Sequence, residues 1–300
     1  EDYKVPAGID TIENSEVTLE FLLAIVPTAE PEPWLRKQRF IVDENPTVAG
    51  VLLFADEPQA LLPKRTAIKI FRYKTSEPVP SREHLVFDPL TIEGWAYRLV
   101  YSAVAKTQEI IEELKRLGEA GLLDVQYPAE TLHEIITNAV LHRDYSVAAD
   151  IQIRIFDNRI EVESPGRLAG HVTTENILHT QFARNQRLVR MINKFPNPPN
   201  KDVGEGLNTA FDAMRKLRLR DPVIQENPNS VTVVIPHQRL ASPEDLVMEY
   251  LRANPEIANR HARELCGVRS ENSMKTIFKR LEARGLIEQV PERTRFKAAW

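Results

Sequence analysis

The chain has 300 residues, 42% of them hydrophobic and 27% charged, with a formal net charge of −4. Such a composition belongs to a globular protein of two or three domains, and its acidic balance argues against wholesale coating of nucleic acid while leaving room for a local basic face. No apolar run approaches the length of a bilayer span, so no membrane association is expected. Cys266 is the sole cysteine, which excludes an intrachain disulfide and suits a reducing, cytoplasmic compartment. The seven histidines lack zinc-ligand spacing. The opening "EDYKVPAG" has no basic-then-apolar leader pattern, and a chain beginning at Glu1 is expected to be a piece of a longer one.

In chain order, "VAGVLLF" (48–54) and "TAIKIFRY" (66–73) are apolar and β-branched and predict strands. "LTIEGWAYRLVYSAVAKTQEIIEELKRLG" predicts one long helix, with Ile92, Trp95, Leu99, Val100, Ala103, Val104 and Ile110 at helical spacing and Gly118 as its stop. These elements assign 1–120 to one α/β unit. A second unit, 121–240, opens with a helix over 129–142. A hairpin follows, in which Ile151, Ile153 and Ile155 alternate before a turn at Asp157-Asn158 and the return through Ile160 and Val162. A helix near 184–194, the loop "KFPNPPNKDVGEG", the helix "GLNTAFDAMRKLRL" and the strand "SVTVVIP" complete it.

Within the helix at 129–142, Leu132, Ile135, Ile136, Ala139 and Val140 form an apolar stripe. Glu134, Asn138 and His142 recur every four residues and fall within roughly 80° of arc beside it. A row at the margin of a core can face a cleft; the plain alternative is the solvated flank of an amphipathic helix.

The pattern E-x-x-x-N-A-x-x-H of Glu134, Asn138, Ala139 and His142 resembles the N-box of the GHKL (Bergerat) ATP-binding fold. The ordered run "HRDYS" (142–146), "IFDNRIEVESPGRL" (155–168), "ARNQRL" (183–188) and "VGEGL" (203–207) is similar to one prokaryotic branch. In that branch an AlbA-like (Schlafen-type) DNA-binding domain precedes a divergent GHKL-like domain and often a winged helix. Its members are described as transcriptional regulators or RecG-like helicases. The resemblance implies ATP and Mg²⁺ as ligands. Asn138 would hold the metal and Glu134 would be the base for hydrolysis. His142, Gly166, Arg184, Gly204 and Gly206 would lie along the nucleotide. The Asp with which GHKL ATPases hold adenine is not matched, because Ser164-Pro165-Gly166 stands in its place. Arg184 has two readings, a phosphate partner or a donor to backbone carbonyls.

Residues 241–300 change character. Ser242, Pro243 and the acids after them suit a helix start. Two further short helices and a strand pair in the tail resemble a winged helix-turn-helix. Between 256 and 300 ten basic residues face six acidic ones, a local excess that phosphate contacts require. Arg269, Ser270, Asn272, Ser273 and Lys275, opening the last helix, are expected to face double-stranded DNA. Lys279 and Arg280 would follow on the same helix, with Arg293 and Arg295 on the wing. The expected whole is α/β: a GHKL-like sandwich preceded by an AlbA-like part truncated at its N-terminus and followed by a winged helix. The chain is expected to form homo-oligomers. Three functions stay open: a DNA-binding transcription regulator, a DNA-stimulated ATPase and a structural oligomerisation module.

Overall fold

The computed structural model describes residues 1–62, 65–118, 121–124, 127–180, 182–199, 206–237, 243–266, 268, 270–290 and 300. The chain divides into two compact units, Glu1–Gln238 and Arg239–Trp300.

The first unit begins with α1 (Asp10–Glu13), α2 (Glu16–Ile25), α3 (Pro31–Lys37), the short pair β1 (Ile41–Val42) and β2 (Asn45–Pro46), then α4 (Val48–Phe54) and α5 (Pro58–Leu61). It continues through β3 (Ile68–Arg72), β4 (Leu90–Ile92), α6 (Ala96–Glu112), the antiparallel pair β5 (Lys115–Gly118) and β6 (Gly121–Asp124), and α7 (Ala129–His142). It ends with β7 (Ile151–Ile155), β8 (Arg159–Pro165), α8 (Gln186–Ile192), α9 (Gly206–Lys216), β9 (Val223–Glu226) and β10 (Ser230–Pro236).

Six strands form one mixed sheet in the order β4-β3-β7-β8-β10-β9, in which only the β3–β7 pairing is parallel. Alternation sets its two faces. Ile151, Ile153, Ile155, Ile160 and Val162 are buried on the face covered by helices. On the other face Arg154 bonds Gln152, Glu161 and Glu163 at 3.1, 3.0 and 2.6 Å, a cross-strand polar ladder. α7 packs against α6 and α9 and lies over β8.

Three expectations change. "VAGVLLF" is the helix α4 and not a strand. The Thr47 side chain caps it by accepting from Gly50 N at 3.2 Å, and every residue from Ala49 to Phe54 is buried, so an apolar run with no polar face carries no period to read. Gly50 lets the helix press on its neighbour, since a Cβ there would lie 2.6 Å from Phe40 O. The predicted long helix is shorter, because Leu90–Ile92 leave it to pair with β3 and Gly118 belongs to β5. The division expected at residue 120 does not separate two bodies: β3 and β4 share the sheet with β7 and β8, and the compact units meet at 238–239.

The second unit holds α10 (Pro243–Ala253), α11 (Asn259–Cys266) and α12 (Glu271–Ala283) around Val247, Ile257, Ala262, Met274, Ile277, Phe278 and Leu281. Trp300 stacks on Phe278 at 4.0 Å and exchanges both backbone hydrogen bonds with Ile257. The predicted strand pair of the tail falls largely outside the described residues. No helix among the described residues is long and apolar enough to cross a membrane.

Candidate functional site

Glu134, Asn138 and His142 all line one cavity of about 640 Å³ in the first unit. Its floor is the helix-facing side of the sheet, where Val162, Val233 and Ile224 stand in register across β8, β10 and β9. Its far wall is the segment between Gly166 and Ala183, including Leu168, Val172, Ile177, Leu178 and Phe182. The cavity is thus apolar over the sheet and polar along α7, while its far wall is mixed, with Arg167, His179 and Thr180 beside the apolar side chains.

Asn138 Nδ2 donates to Glu134 Oε1 at 2.7 Å. Burial raises the Glu134 carboxyl above its ordinary range, and the Asn138 amide opposes that rise. The bond fixes the amide's orientation, and the Asn138 amide oxygen is its acceptor for a ligand. A carboxylate and an amide oxygen on one helix face are hard donors that suit Mg²⁺, which completes its shell with water and phosphate oxygens. Among the described residues no group of three or more His, Cys, Asp or Glu could hold a metal by itself. His142 is held neutral: burial, with the Arg184 charge adding to it, lowers its pKa to about 4.

The end of α7 explains several neighbouring motifs. The last four carbonyls of a helix lack intrahelical partners. Here Ala139 O accepts from Ser164 Oγ at 2.9 Å, Val140 O from Tyr145 Oη at 2.9 Å and Leu141 O from Asn185 Nδ2 at 2.9 Å. Asn185 Nδ2 also reaches Arg143 O at 2.9 Å. Gly166 follows at the cavity rim with φ +96°, in the left-handed region. A Cβ there would lie 2.5 Å from Asp144 Cβ, because Asp144 N donates to Pro165 O at 2.8 Å and holds the two turns together.

Arg184 donates to Asp144 Oδ2 at 3.2 Å and to Arg167 O at 2.5 Å. It is absent from the cavity lining, although Ala183 beside it contributes. Gly204 lies outside the described residues. Gly206 opens α9, and the next two residues, Leu207 and Asn208, line the cavity. Asn208 Nδ2 donates to Leu178 O at 3.0 Å and so ties α9 to the far wall.

The sequence reading did not foresee that wall. It has no regular element to predict, and long-range bonds hold it: Glu226 of β9 accepts from Leu168 N at 3.0 Å and from Arg167 Nε at 3.1 Å.

In the second unit Ser270 caps α12, its side chain accepting from Ser273 N at 3.3 Å. Asn272, Ser273, Lys275, Lys279 and Arg280 are exposed. Lys275 pairs with Glu271 at 2.7 Å and Arg280 with Glu244 at 3.1 Å. Arg269, Arg293 and Arg295 lie outside the described residues.

Residues 148–235 match the family described as "Putative ATP-dependent DNA helicase recG C-terminal". This segment is thus similar to a RecG-like ATPase-type domain. It takes in Gly166, Arg184, Gly204 and Gly206; the polar row of α7 precedes it. The chain is also similar to the crystal structure of the DIP2311 protein from Corynebacterium diphtheriae, with a TM-score of 0.57 and 16% identity, over 100% of this chain and 64% of that one. That likeness is one of fold, and the chain spans 64% of that protein's length. Comparison with curated proteins gives no match.

Proposed function

We propose that the first unit binds ATP with Mg²⁺ in the cavity against α7 and that the second unit binds double-stranded DNA, making the chain a DNA-binding transcription regulator. The observation that carries the nucleotide half is the convergence of Glu134, Asn138 and His142 on one wall of a cavity whose sheet floor is apolar. Asn138 Oδ1 would hold the ion, whose charge would offset that of the phosphates. The neutral His142 ring has an N–H for a phosphate oxygen, and Gly166 keeps the rim open. Gly204 and Gly206 belong to the same proposal as backbone donors toward the phosphates, and Arg184 acts through its hold on Asp144 and Arg167. The apolar floor suits the flat face of a base.

The DNA half rests on the local basic excess and on the exposed first turns of α12. The fuller architecture joined to it is an AlbA-like N-terminal part, a winged helix at the C-terminus and homo-oligomeric assembly. A second reading, a DNA-stimulated ATPase, is favoured by one feature: Glu134 is a carboxylate next to the proposed ion ligand, where it can take a proton from an attacking water.

Isothermal calorimetry with Mg²⁺-ATP tests both. Asn138→Ala should abolish Mg²⁺-dependent binding, whereas Glu134→Ala should keep binding and lose any turnover. Retained Mg²⁺-ATP affinity in Asn138→Ala would remove that residue from the site.

A further inference from the structure

Asn185 directly precedes α8, in the position where an Asn side chain ordinarily accepts from the backbone of its own helix. It makes no such bond. The amide is turned away, buried to 2% exposure, and donates to Leu141 O and Arg143 O, the carbonyls on either side of His142. The amides it leaves, Arg187 N and Leu188 N, are served by the Glu1 carboxylate at 3.1–3.2 Å. One residue thus gives up a local cap, which a distant residue replaces, in order to clamp the carbonyls of the residues before and after a cavity-lining histidine.

We infer that Asn185 is a positioning residue that fixes the last turn of α7 and thereby sets the His142 ring against the cavity. This rests on the nucleotide reading only for its consequence, the presentation of His142 to a phosphate; the clamp stands on its own geometry. A helix end frays unless its carbonyls are satisfied. Without the Asn185 amide, the backbone at 141–143 loses two bonds made by one rigid group, and the ring between them is free to turn toward water. Tyr145 provides the contrast. It caps Val140 O, one turn position earlier, with a single bond that does not bracket His142.

The test compares Asn185→Leu, close in size but without donors, with Tyr145→Phe in the full 300-residue chain. Both variants should melt at lower temperature. Only Asn185→Leu should move the His142 titration, followed by NMR of the ring, up from about 4 toward the ordinary histidine range. Only it should weaken Mg²⁺-ATP binding by about tenfold or more. A His142 titration in Asn185→Leu that coincides with that of Tyr145→Phe overturns the inference and leaves Asn185 as one cap among several. If the parent chain binds no Mg²⁺-ATP while Asn185→Leu still shifts His142, the positioning role stands and the nucleotide reading falls. Should Asn185→Leu fail to fold, Asn185→Ser, which keeps one donor, replaces it with the same two outcomes for His142.

Discussion

Replacing His142 with Gln should flatten the acid side of the stability curve. The ring is neutral in the folded chain down to about pH 4, whereas a histidine in the unfolded chain takes up its proton near 6.5. Between those values the unfolded state binds the extra proton, so stability rises with pH across the window. The contribution is fully present above the unfolded value and is lost as pH falls toward the folded one. Linkage puts the part lost by about pH 5 at roughly 2 kcal/mol. His142→Gln removes the titration and keeps a polar side chain, so its stability should fall by about 2 kcal/mol less than the parent's between about pH 7.5 and pH 5. Urea unfolding followed by the fluorescence of Trp34 and Trp95 would read this, in a Trp300→Phe background that keeps both reporters in the first unit. Parallel losses in the two proteins would refute the buried, neutral state of His142. With it would go the argument that the ring meets a ligand as an uncharged donor.

Glu134→Gln acts with the opposite sign. A carboxyl raised by burial favours the fold at low pH and loses that contribution as pH rises through its folded value, so Gln should raise the melting temperature of the ligand-free chain near neutral pH; a lower one would contradict the burial argument. Gly166→Ala should cost about 1–3 kcal/mol for its left-handed backbone alone, with the close approach of Asp144 adding to it, measured by thermal unfolding. The Lys275→Ala, Lys279→Ala pair should weaken duplex binding at all sequences and flatten the slope of log affinity against log salt by roughly 0.9 per lost phosphate contact. Fluorescence anisotropy at several salt concentrations reads it, and an unchanged slope with intact circular dichroism would point to protein pairing instead.

The parts of the site that follow from period were legible in the sequence. α7 showed its stripe and its polar row because both repeat every turn, and β7–β8 showed their two faces because Ile alternates with Gln152 and Arg154. α4 was misread for the converse reason: buried on all sides, it has no polar positions to mark a period. The wall at 167–183 was illegible because its place depends on acceptors far along the chain, Glu226 above all, and nothing near Leu168 announces them. Ser164, Tyr145 and Asn185 could be read as donors, but the carbonyls that receive them become identifiable only once α7 ends at His142.

That end also gives a physical reason for the mismatch at Ser164. The hydroxyl donates to Ala139 O, a carbonyl of the last turn of α7, directly beside the Asn138 peptide unit. A carboxylate at 164 could only accept, and it would set two acceptors against each other in a partly buried place. Holding an amino group with an Asp at this point and capping α7 from this point are therefore competing uses of one position, and this chain has the cap. With its proton committed to Ala139, Ser164 shows the cavity only lone pairs, a neutral and weaker acceptor than a carboxylate. In the proposed nucleotide complex, selection of a base would consequently lean on the apolar floor of Val162, Val233 and Ile224 more than on a charge at 164. In the proposed complex the row on α7 would share polar recognition with Arg167, His179, Thr180 and Asn208, and the clamp on its last turn would then bear on binding as well as on stability.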